Sequence, residues 1–191
     1  MAFLEQFEDE DKKLIVSLPY RVGVWVGSVD EVGGAKANFE EISALERIIT
    51  EQSKGMFESA FVHEVMSETF ACQDNWKAWS ENLDNVPTEC TQAVEKIASK
   101  LAEKDVDAYR ANVMGIGLEV AKAFREFDAE ETFFVKLVIK FKLFVQAMAR
   151  IITRDRSFDQ VSALNISYEE DMALTKLSEA LHPEVKVSSA D

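Results

Sequence analysis

The sequence predicts an all-α fold of about seven to eight helices. Only 7 Gly and 3 Pro punctuate 191 residues, fewer than the turns of a sheet protein need. Apolar residues recur at three- and four-residue spacing along most of the chain, the period of a helix with one inward face. Nearly half of the residues are apolar and 13 are Phe, enough to build a core of ordinary size. The whole chain, 1–191, is read as a single domain.

The first helix is expected from about Asp11 to Val29, on Leu14, Ile15, Leu18, Val22, Trp25, Val26 and Val29, with Pro19 kinking or dividing it. Gly23 and Gly27 lie one turn apart and invite a close neighbour. Asp30 to Ala37 reads as a loop. Asn38 then opens a helix, with Glu41 as its capping-box partner and Ile42, Leu45, Ile48 and Ile49 inward. After Gly55 a helix from Phe57 to Phe70 is expected, then a short one carrying Trp76 and Trp79. Pro87 and Thr88 open the next, through Val94, Ile97 and Leu101. Asp105 or Asp107 caps another, which holds Gly115 and Gly117 and runs to about Phe127. Asp128 and Glu131 form a second capping box, and the helix to Thr153 is apolar nearly all round. It is expected to be the central helix, with Phe141 and Phe144 deeply buried. A last helix spans Ser167 to Leu181 and stops at Pro183.

Phe133 to Ile152 is long enough to span a bilayer, but Lys136, Lys140, Lys142 and Arg150 would sit at membrane depth, each at a cost of at least ~2.5 kcal/mol. A buried helix is expected there, and the chain is not expected to be an integral membrane protein. The net charge of −14 repels phosphate backbones and argues against nucleic acid partners. It favours cations and basic protein surfaces. The start of the chain lacks the basic and apolar regions of a secretory signal. Two cysteines make no disulfide framework, so a reducing cytoplasm is the expected compartment.

Two helix starts match across 129 positions: NFEEISALERII from Asn38 and SYEEDMALTKLS from Ser167. Each has a capping residue, an aromatic, Glu-Glu, Ala-Leu, a base and an aliphatic at equal offsets. Each follows an apolar helix and an acidic loop. The pattern points to a duplicated helix–acidic loop–helix unit with halves at 11–53 and 128–181. The competing account is two capped amphipathic helices that look alike by chance.

On these segments the chain resembles the TerB-like family, the helical tellurite-resistance type. The matching parts are Gly27-Ser28-Val29-Asp30 with Asn38 to Glu41, and Arg154-Asp155 with Ser167 to Glu170. The resemblance implies a compact, internally duplicated all-α domain linked to stress response, to protein complexes and to cation binding. Carried onto this sequence, the metal residues would be Asp30, Glu40, Glu41, Asp155 and Glu170, with Ca²⁺ or Mg²⁺ as the ion. Glu31 and Arg156 stand where the family prefers Gly after the loop Asp.

Read from the residues alone, Asp30, Glu31, Glu40 and Glu41 could supply oxygen ligands to a hard divalent cation, or serve as helix caps on a solvated acidic surface. The spacing is not that of an EF-hand. His63 is expected at a partly buried helix position and His182 in a last helical turn. Two Glu-x-x-His motifs would be needed for a di-iron bundle, and none occurs. Cys72 and Cys90 lack zinc spacing and read as small buried apolar residues. Trp76 and Trp79 read as packing residues. Residues 136–156 carry six Lys or Arg and one acid, a basic arc that either binds an anion or partner, or snorkels between acidic neighbours.

The expected function is a non-enzymatic accessory or scaffold domain acting through protein partners, with a homodimer among the possibilities. The alternative is a helical enzyme or small-molecule binder with a pocket between the halves, near Lys136, Lys140 and His63.

Overall fold

A computed structural model describes residues 2–29, 34–55, 57, 59–123 and 168–183, with side chains for all of these except 34–41, 122, 123 and 168. Among the described residues the architecture is all-α, with no strand. The α-helices are α1 (Asp9–Gly27), α2 (Gly34–Ser53), α3 (Ala60–Ala71), α4 (Trp76–Trp79), α5 (Val86–Ala98), α6 (Glu103–Ala123) and α7 (Tyr168–Leu181). Short 3-10 turns lie at Leu4–Gln6, Gln73–Asn75 and Leu83–Asn85. No helix among these residues is long and apolar enough to cross a membrane.

The centre of the described structure is α1, which touches all six other α-helices. Six consecutive residues, Ile15–Tyr20, are buried, so the helix is covered on every side. The segment expected in that role, 128–153 with Phe141 and Phe144, lies outside the described residues. Helix α1 begins at Asp9, two residues before the expected start. Asp9, Glu10 and Asp11 form its first turn, where the helix dipole favours carboxylates.

Pro19 does not divide α1. A proline inside a helix removes the N–H that would bond the carbonyl four residues earlier. Here that carbonyl belongs to Ile15, and the buried Tyr109 hydroxyl of α6 donates to it at 3.0 Å. At the next residue, the Thr69 hydroxyl of α3 lies 2.7 Å from the Val16 carbonyl. Two neighbouring helices thus supply polar partners to consecutive carbonyls in the turn before Pro19.

The expected loop through Ala37 is shorter, because α2 starts at Gly34. Ala35, Lys36 and Ala37 are strong helix formers, and they outweigh one Gly at the first helical position. Asn38 therefore lies inside α2 and is not its cap, so Asn38 and Glu41 form no capping box at the start of this helix. Helix α3 starts at Ala60 and not at Phe57; its cap is Ser59, whose hydroxyl accepts from the Val62 N–H at 3.3 Å. The same hydroxyl donates to Asp105 at 3.0 Å. Asp105 lies in the first turn of α6, which begins at Glu103, so neither Asp105 nor Asp107 is the cap.

The helix ends are closed by side chains from elsewhere in the fold. Trp76 donates through Nε1 to the Thr69 carbonyl at the end of α3. At the end of α7, Thr91 donates to the Ala180 carbonyl at 2.9 Å and Arg110 to the Leu181 carbonyl at 2.9 Å. The last four carbonyls of a helix lack partners inside it, and these donors supply them.

Both glycine segments mark close approach. A Cβ placed on Gly23 would lie 2.3 Å from Leu45 Cδ1, so α1 and α2 meet there without room for a methyl group. At Gly117 of α6 the nearest atom is Leu177 Cδ2 of α7, at 3.0 Å, with Leu174 Cδ2 at 3.5 Å.

Candidate functional site

The acidic residues singled out as metal ligands are not brought together among the described atoms. Asp30, Glu31 and Asp155 lie outside the described residues. Glu40 and Glu41 lie on α2, their side chains outside the described atoms. Glu170, in the first turn of α7, is 1% exposed, the most buried carboxylate among the described residues. Among those residues no group of three or more His, Cys, Asp and Glu could hold a metal ion.

His63 is exposed on α3 rather than partly buried. It meets the Phe57 ring edge-on at 6.4 Å between centroids. Lys136 and Lys140, and with them the basic arc of 136–156, lie outside the described residues. His182 comes directly after α7 and donates its backbone N–H to Ser178 O at 3.1 Å. Partial desolvation, then the Arg110 cation, push its side chain below the ordinary histidine value.

Neither cysteine is poised as a nucleophile. Cys90 is fully buried on α5, and burial pushes its thiol up to about 12. Cys72 is also raised, by desolvation first and then by the Glu68 carboxylate. The thiolate is the reactive form, and both environments oppose it. Trp76 is buried and stacks on Tyr20 with ring centroids 4.8 Å apart, and Trp79 tilts against the same ring at 6.3 Å. These indoles pack the core.

Three polar arrangements escaped sequence reasoning. The first surrounds Arg21 of α1. Its guanidinium donates to both Glu89 carboxylate oxygens, at 3.0 and 3.3 Å, and to the carbonyls of Trp79, Glu81 and Asn82 at 2.9 to 3.1 Å. Asn82 is left-handed, with φ 53°, a conformation Asn tolerates better than most residues. Arg21 thus gathers the turn between α4 and α5. The second lies between α2 and α6, where Asn112 donates to Gln52 at 2.8 Å and Gln52 donates to Glu119 at 3.4 Å. Asn112 is 3% exposed, and its Oδ1 accepts no hydrogen bond.

The third holds the 3-10 turn at Leu4–Gln6. The Glu64 carboxylate of α3 accepts from the Phe3 N–H at 2.7 Å and the Leu4 N–H at 3.0 Å. At the other end of the turn, Lys100 donates to the Gln6 carbonyl and sits 5.5 Å from the Phe7 ring centroid. No sequence motif announces such contacts, because the partners are 60 to 94 positions apart.

The two matched segments share a burial pattern. Ala44, Leu45 and Ile48 are buried, as are Ala173, Leu174 and Leu177 at the same offsets. Ser43, Glu46 and Arg47 are exposed, as are Met172, Thr175 and Lys176. Leu45 rests on Gly23, and Leu174 lies beside Gly117. The glycine-bearing partner is the preceding helix α1 in one case and α6 in the other.

Together these features define an all-α domain in which Arg21, Glu64 and Lys100 tie down backbone distant in the chain. Comparison of the chain with protein-family models, with curated proteins and with solved structures finds no match.

Proposed function

We propose that the chain is a TerB-like accessory or scaffold domain of stress response, acting through protein partners and taking Ca²⁺ or Mg²⁺ at its acidic loops. The observation that carries this reading is the agreement in burial between the Ala44–Leu45 and Ala173–Leu174 helices, each with a leucine against a glycine of a neighbouring helix. In each case a small residue admits the leucine, Gly23 from the helix before the first loop and Gly117 from α6, which precedes the half at 128–181. Glu170 adds support. It is buried in the first turn of α7, where the helix dipole favours an anion. Its counterpart by offset is Glu41. In this reading Asp30, Glu40 and Glu41 serve one loop, and Asp155 and Glu170 the other.

Isothermal titration calorimetry tests it. Adjacent carboxylates repel, and a hard divalent ion relieves the repulsion while accepting their oxygens. Wild type should bind Ca²⁺ or Mg²⁺ weakly, and Asp30→Asn should bind more weakly still. Binding should also raise the melting temperature as metal concentration rises. No heat at millimolar metal, or identical titrations of the two proteins, would remove the cation from the proposal.

A further inference from the structure

No further inference is drawn: the strongest candidate, the side-chain cluster of Gln52, Asn112 and Glu119 between α2 and α6, leaves the buried Asn112 Oδ1 without a donor, but nothing among the described residues shows what would occupy that position.

Discussion

At the scale of single residues, the most informative pair is Pro19 and Tyr109. The hydroxyl of Tyr109 bonds the Ile15 carbonyl that Pro19 cannot serve. Leaving a buried acceptor unpaired costs about 1–3 kcal/mol, so Tyr109→Phe should lower stability to urea by that amount. In a Pro19→Ala background a new N–H can reach Ile15, and the cost of Tyr109→Phe should shrink by at least half. Equal losses in both backgrounds would show that the hydroxyl does not act through this carbonyl. Cys90 gives a pH prediction. Its folded value is raised to about 12 by burial, above the ordinary thiol value of about 8.5. The stabilisation is therefore complete below about pH 8.5 and is lost as pH rises from there towards 12. Cys90→Ala should lessen the fall in urea midpoint between pH 8.5 and 10.5, and native Cys90 should resist Ellman's reagent until the protein unfolds.

Between elements, the two glycine contacts differ in how much room they leave. At Gly23 an added methyl group would overlap a leucine that is itself 1% exposed. Gly23→Ala should cost about 1–3 kcal/mol of overpacking, in excess of the ~1 kcal/mol that alanine gains in helix propensity. At Gly117 the nearest atom is 3.0 Å away, and a shift of a few tenths of an ångström by Leu177 relieves it. Gly117→Ala should therefore be near neutral, and thermal unfolding of the two variants would rank them. The spacing of Gly23 and Gly27 already advertised a close neighbour. It could not say that the neighbour is Leu45, since helix periodicity fixes a face and not a partner. The misplaced start of α2 has a similar origin. Gly33-Gly34 reads as a break, but Ala35, Lys36 and Ala37 already lie on α2.

For the whole molecule, fold class was legible because it arises from sums over many residues: the scarcity of Gly and Pro, and the recurrence of apolar positions in each helix. Helix α1 shows the limit of such patterns. Its buried run of Ile15–Tyr20 includes Ser17, Pro19 and Tyr20, and no amphipathic stripe marks it as central. The Arg21 cluster and the Glu64 and Lys100 contacts were illegible because each joins side chains to distant backbone, which carries no residue identity. The matched segments advertised Glu170 but not its burial. Charge is likewise a property of the whole chain. A net −14 opposes compaction through self-repulsion, and salt screens it within a Debye length of about 10 Å at 0.1 M. The melting temperature should accordingly rise as sodium chloride is added from low ionic strength. A fall on adding salt would mean that specific ion pairs outweigh the global term.

The proline in α1 also bears on the order of events during folding. A helix that lacks an internal bond is a poor autonomous nucleus, because each early bond must offset the entropy of fixing its residues. Here the missing partner is supplied by Tyr109, 94 positions along the chain. Helix α1 is completed only when α6 arrives, so the loop between them must close first. In stopped-flow experiments Tyr109→Phe should then slow refolding, with a φ-value above about 0.5. Helix α1, made before α6, would be left to wait for that helix before its own backbone is satisfied.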